Sequence, residues 1–133
     1  MTPESKAVSA AAAKTALSRL AQNCPGLRWA TVATKDGTEI ASHGVTADEK
    51  LSVMTGTMHA LADGIVGEAE LGCCNDIILA AARGRIVIQG LQGAASELVL
   101  AAMTSPQTSL GLLLNCCNAA SKEISTAMQG QPA

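Results

Sequence analysis

Three segments in the second half of the chain carry large aliphatic residues at consecutive positions. They are Ile77-Ile78-Leu79, Ile86-Val87-Ile88 and Leu98-Val99-Leu100. Because side chains alternate between the two faces of a strand, an unbroken apolar run predicts a strand that is covered on both faces. Turn-forming residues separate the segments and predict strands over residues 76–82, 85–91 and 96–104. The pattern therefore predicts a three-stranded antiparallel meander with helices on both sides of its sheet.

The rest of the chain supplies the other elements of such a sheet. Lys35-Asp36-Gly37 is a hairpin turn signal between two segments rich in strand-forming residues, 28–34 and 38–42. Apolar residues at steps of three and four predict a first helix that ends before Pro25-Gly26 and a last helix capped by Thr108 or Ser109. Residues 46–49 form a capping box for a middle helix that runs to about Glu70.

The order of these elements predicts the fold class. Helix, hairpin, helix, meander and helix give an α/β chain of the α+β type, with one five-stranded antiparallel sheet, because no strand-helix-strand spacing repeats. The length of 133 residues suits a single domain. We expect this domain to span residues 5–128, with frayed termini at 1–4 and 129–133.

Composition excludes several classes of function. Trp29 is the only aromatic residue and the net charge is -2, so the chain lacks the stacking platform and the basic groove that bind single-stranded nucleic acid. Residues 1–14 lack the continuous apolar core of a signal peptide, and no stretch is long enough to span a bilayer. We therefore expect no nucleic-acid partner, no membrane insertion and a cytoplasmic location.

No motif for catalysis or cofactor binding is present. The chain has no Gly-Lys pair for a phosphate-binding loop, and its five cysteines lack the Cys-x-x-Cys spacing of a zinc site. A thiol enzyme that pairs a cysteine with His43 or His59 is a minor alternative, because His43 is expected at the surface and His59 on a solvated helix flank. We expect a protein that is not an enzyme and holds no metal or cofactor.

The middle helix carries non-polar residues on two sides. Leu51, Met54, Met58, Leu61 and Ile65 form one stripe, and the opposite side carries Gly56, Ala60, Gly64 and Gly67. Glycine in an exposed helix costs roughly 1 kcal/mol relative to alanine, so the second stripe predicts close packing against a second copy of the chain.

The third strand, around Ile77, Ile78 and Leu79, points to the same contact, because an apolar edge with only Asp76 to protect it invites pairing with another subunit. The alternatives are that the glycine-bearing side of the middle helix faces solvent and that the third strand is an interior strand of the sheet.

Two stretches of the sequence resemble one known family. The hairpin residues Val-Ala-Thr-Lys-Asp-Gly-Thr-Glu-Ile-Ala-Ser-His-Gly, from Val32 to Gly44, are similar to the first hairpin of Roadblock domains, the dynein light-chain relatives of bacteria and archaea. Leu110-Gly111-Leu112-Leu113, after Ser105-Pro106, resembles the start of that family's last helix. The resemblance implies that the first and last helices lie on one face of the sheet and the middle helix on the other.

The same resemblance implies how the protein functions. Roadblock subunits form homodimers through the middle helix and third strand, have no active site, and in bacteria often bind Ras-like small GTPases and regulate their nucleotide cycle. Arg83 and Arg85 flank a strand turn and are candidate contacts to such a partner. We therefore expect a homodimeric regulator or scaffold. The alternatives are a module that senses a small ligand between helix and sheet and a purely structural dimerisation module.

Overall fold

A computed structural model describes residues 3–44 and 50–130 of the chain. The α-helices in these ranges are α1 (Pro3–Asn23), α2 (Lys50–Glu68) and α3 (Leu110–Gln129). The strands are β1 (Leu27–Thr34), β2 (Glu39–Gly44), β3 (Asp76–Ala81), β4 (Gly84–Gly90) and β5 (Leu98–Thr104). A single 3₁₀ turn at Gly93–Ala95 connects β4 to β5. The predicted order of elements is confirmed.

The five strands form one antiparallel sheet in the order β2-β1-β5-β4-β3. The first and last strands of the described chain, β1 and β5, are neighbours at the centre, where Val32 lies opposite Leu100. The meander continues outward through β4 to β3, which has no neighbour on its other side among the described strands. β3 is therefore an edge strand, and the alternative of an interior strand is wrong.

Helices cover the two faces of the sheet unequally. α1 and α3 pack side by side on one face, over a core that is aliphatic apart from the sulfur-containing side chains of Cys24, Cys117 and Met128. Its largest fully buried side chains are Leu17, Leu98, Leu100, Leu113, Ile124, Val32 and Val87. α2 lies alone on the other face, where Trp29, Ile88, Val99 and Ala101 form a smaller core. The predicted placement of the helices is confirmed.

Local signals account for most element boundaries. Gly37 takes a φ of 96° in the predicted hairpin turn, and Ser109 Oγ accepts a hydrogen bond of 3.1 Å from the backbone N–H of Leu112, which makes Ser109 the N-cap of α3. Thr108, the other candidate cap, instead donates its hydroxyl to Pro25 O at 2.6 Å. The capping box at 46–49 lies outside the described residues, and the domain limits of 5 and 128 remain a prediction.

One expectation about the sheet is wrong. Both faces of β4 and β5 are largely buried, as their apolar runs predict, but β3 is exposed along nearly its whole length. The reason is its position, because α2 contacts β1, β5 and β4 and does not extend over the edge strand. None of the helices in the described ranges is both long and apolar enough to cross a membrane.

Candidate partner-binding surface

The side of α2 that faces the sheet is built from small and polar residues. Ser52, Thr55, Gly56 and His59 are its buried residues. At Gly56 the helix lies so close to the β1–β2 turn that a Cβ atom would stand 2.7 Å from the carbonyl oxygen of Lys35. The prediction that Gly56 contacts a second copy is therefore wrong, because the turn of the same chain already covers its bare backbone.

The Leu/Met stripe of α2 faces solvent instead, except for Leu51, which is partly buried against the smaller core. Met54, Leu61 and Ile65 are 61–63% exposed, and Met58 is partly exposed beside them. A monomeric protein rarely leaves so many large apolar side chains uncovered along one helix, since each loses the free energy of burial. This face of α2 has the character of a binding surface.

The edge strand β3 extends the exposed apolar area. Ile78 and Leu79 are 43% and 38% exposed, Leu71 in the preceding loop is 75% exposed, and Ile77 is partly buried against the smaller core. The outer backbone groups of β3 are unpaired by any described strand. We call the exposed apolar residues of α2 and β3 together the α2–β3 surface. Its members are Met54, Met58, Leu61, Ile65 and Leu79, together with Ile78, which lies on the opposite face of the edge strand because it pairs with Val87 of the larger core.

The remaining small residues of α2 lie on a different side of the helix from the Leu/Met stripe. Ala60, Gly64 and Gly67 are exposed, and a Cβ atom added at Gly64 or Gly67 would meet no other atom within 4 Å. Unlike Gly56, these positions are free to let another chain approach the helix backbone closely. Their contact with a second copy remains a prediction.

His59 is buried beneath α2, against the expectation of a solvated flank. It is 4% exposed, its Nε2 has no hydrogen-bond partner among the described residues, and the ring lies so close to Gly90 that a Cβ atom there would collide with Nε2. Burial and the charge of Lys35 lower the pKa of His59, against opposing effects of Asp63 and of the backbone of Cys74. The buried imidazole is therefore held neutral.

The two candidate partner-contact arginines have different surroundings. Arg83 is exposed in the turn between β3 and β4. Arg85 is half-buried at the start of β4, and its Nη1 donates a hydrogen bond of 2.5 Å to the carbonyl oxygen of Thr108. His43 is exposed on β2, as expected.

Three of the five thiols have a pKa that does not suit a catalytic nucleophile. All five are free. Burial raises the pKa of Cys24 to about 11 and of Cys117 to about 12, and it also raises the pKa of Cys74. A reactive cysteine has a lowered pKa, so these shifts run against thiol catalysis. Among the described residues, no group of three or more His, Cys, Asp or Glu side chains could hold a metal ion.

A polar cleft of about 730 Å³ lies between α3 and the outer part of the sheet. At its floor the buried Gln89 amide donates to Asn118 Oδ1 at 2.7 Å and accepts from Ser121 Oγ at 2.8 Å. These bonds satisfy Gln89 within the chain and anchor α3 to β4. Neither Gly64 nor Gly67 lines the cleft.

Sequence reasoning missed the burial of His59 and the exposure of the Leu/Met stripe. Both follow from the rotation of α2 about its axis. The two non-polar sides of the helix were the only signal available, and they do not say which side faces the sheet. The contact of Gly56 with the hairpin turn decides between them.

Comparison with known proteins identifies the fold. No protein-family model matches the sequence, and no curated protein is significantly similar to it. Among solved structures, Myxococcus xanthus MglB superposes with a TM-score of 0.81 at 20% identity, over 90% of this chain and 96% of that one.

Two further structures give the same result. The gliding protein MglB of Thermus thermophilus has a TM-score of 0.79 at 12% identity, over 92% of this chain and 93% of that one. A Roadblock/LC7 domain from Streptomyces avermitilis has a TM-score of 0.77 at 15% identity, over 86% of this chain and 96% of that one.

Proposed function

Because the chain has the fold of Roadblock domains, we propose that it is a non-catalytic, homodimeric regulator or scaffold that binds a Ras-like small GTPase and modulates its nucleotide cycle. The observation that carries the proposal is the exposed α2–β3 surface, which combines an apolar helix face with an unpaired strand edge. The resemblance of the first hairpin and the last helix to Roadblock domains supports the GTPase as partner.

The geometry of the edge strand supports the proposed homodimer. Two copies of β3 can pair antiparallel around a two-fold axis, which satisfies the free backbone groups of both strands. Ile77, Ile78 and Leu79 then lie at the centre of a continuous sheet. The same axis brings the two α2 helices together, so that their Met54 and Leu61 side chains leave water, and the small residues Ala60, Gly64 and Gly67 permit close approach.

The mass of the protein in solution tests the dimer. We expect light scattering to give about twice the chain mass of 13.4 kDa, and the double substitution Leu61→Glu/Ile65→Glu to give the single mass, because it places charges in the apolar contact. The control is Leu112→Glu, at an exposed leucine of α3 outside the surface. A monomeric wild type, or a dimer that survives the double substitution, would contradict the proposal.

Affinity capture from the native lysate with excess GTP or GDP tests the partner. Recovery of a small GTPase that depends on the nucleotide supports the regulator. Recovery of the protein alone with both nucleotides, from a verified dimer, contradicts GTPase binding and leaves a purely structural dimerisation module.

The alternative of a small-ligand sensor rests on the polar cleft beside Gln89. Its side-chain amide groups and the neighbouring Lys122 offer polar contacts to a small molecule. A ligand held there has to compete with the bonds that Gln89 already makes to Asn118 and Ser121. None of the α2 glycines lines this cleft, so the dimeric regulator is the better supported function.

A further inference from the structure

Three arginines meet at one end of the sheet. Arg28 follows the first residue of β1, Arg83 lies in the turn between β3 and β4, and Arg85 follows the first residue of β4. The registers place these strand starts beside the end of β5, because Leu27 and Arg85 both lie opposite Thr104. We call this group the arginine end.

Backbone carbonyl groups position two of the three guanidinium groups. Arg28 Nη1 donates to the carbonyl oxygen of Arg83 at 3.1 Å, and Arg85 Nη1 donates to Thr108 O at 2.5 Å. These acceptors are neutral, so they orient the side chains without compensating their charge. Within residues 3–44 and 50–130, the structure shows an ion pair of 2.7 Å between Arg19 of α1 and Glu123 of α3. This ion pair does not involve the three arginines of the arginine end.

Acidic residues of the sheet collect at the opposite end. β2, β3 and β5 start there, and the β1–β2 turn lies there as well. The carboxylates at these positions are Asp36, Glu39, Asp76 and Glu97. Apart from Lys35 in the β1–β2 turn, the antiparallel topology therefore separates the two signs of charge along the strands.

We propose that the arginine end binds an acidic segment of a partner protein, one that presents two or three carboxylates. Each guanidinium has several N–H donors left, and a planar guanidinium matches a carboxylate in bidentate geometry. The inference rests on the proposed function only in taking the ligand to be a protein. It does not require the dimer, because Arg28 and Arg85 lie outside the α2–β3 surface, although Arg83 follows the edge strand β3 and borders that surface.

Other anionic ligands fit the arginine end less well. Nucleic acid needs aromatic stacking partners, and Trp29, the only aromatic residue, is 2% exposed. Anionic membranes usually recruit clusters of about four to eight Lys and Arg residues, more than are present here. The clefts along α1 and α3 and beside Gln89 are lined by none of the three arginines, so they offer a small free anion no site at the arginine end.

Fluorescence anisotropy with a labelled hexaglutamate peptide, at about 50 mM salt, tests the proposal. We expect Arg28→Gln/Arg83→Gln/Arg85→Gln to weaken peptide binding by about tenfold or more. The matched control Lys6→Gln/Lys14→Gln/Lys122→Gln removes the same net charge from α1 and α3 and should change the affinity by less than about twofold. Arg28→Gln/Arg83→Gln, at two exposed positions, should still lose most of the binding if the triple variant fails to fold.

Equal losses in the arginine and lysine variants would overturn the proposal, because net charge alone would then explain the binding. It would also be overturned if inorganic phosphate, or phosphatidylserine vesicles, bound through the three arginines while the peptide did not. Peptide binding that persists in the monomeric Leu61→Glu/Ile65→Glu variant, or when no GTPase is captured, supports this inference separately from the proposed function.

Discussion

At the scale of single residues, His59 is a titratable side chain in surroundings that disfavour its charged form. The imidazole is buried between α2 and Gly90, and its Nε2 has no partner among the described residues. The groups around it are Lys35 from the β1–β2 turn, Asp63 from α2 and the backbone of Cys74 before β3. Protonation would place a charge in a site that burial makes unfavourable.

His59 should therefore make stability depend on pH. Its pKa is lowered in the folded state, so below about pH 6.5 the unfolded chain binds a proton that the folded chain does not, and stability falls as the pH decreases toward the folded pKa. Urea unfolding at pH 7, 6 and 5 should show a smaller decrease for His59→Gln than for wild type, with the exposed His43→Gln as control. A wild-type decrease matched by His59→Gln would exclude His59 as its cause.

At the scale of elements, the docking of α2 depends on one close contact. Because a Cβ atom at Gly56 would stand 2.7 Å from Lys35 O, Gly56→Ala forces the helix and the hairpin turn apart. We expect a loss of about 1–3 kcal/mol in the free energy of unfolding. Gly111→Ala, in an open position of α3, should be neutral or stabilising by up to about 1 kcal/mol. Equal effects of the two substitutions, measured by urea unfolding, would contradict the close contact.

Local signals were sufficient for the elements but not for the orientation of α2. Gly37, Ser109 and the apolar runs act through their own turn, cap or strand, so sequence predicts the hairpin, α3 and the order of the strands. The inward side of α2 is instead decided by the β1–β2 turn, about 20 residues away in sequence, which fits only against Gly56. The candidate interface was correspondingly right in naming the edge strand β3 as uncovered and wrong in assigning Gly56 to a second copy.

At the scale of the whole molecule, the charges of β3 complement a second copy of the same strand. Asp76 begins β3 and Arg83 follows its end, so an antiparallel pairing brings Asp76 of one copy near Arg83 of the other. We expect Asp76→Arg and Arg83→Asp each to weaken dimerisation by about three- to tenfold, and the double exchange to restore it, as sedimentation equilibrium can measure. If the dimer of the double variant is no tighter than the dimers of the single variants, this pairing register is wrong.

The separation of arginine and carboxylate groups along the strands gives each subunit an electric dipole moment roughly parallel to β5. A two-fold axis perpendicular to the strands reverses this component in the second copy, so the two contributions cancel. Dimerisation would thus remove most of the dipole moment of the monomer along this direction. The dimer would have a weak long-range electric field and one basic patch at each end. An acidic partner would then be recognised through short-range contacts with one of the patches, and long-range electrostatic steering would contribute little to its association.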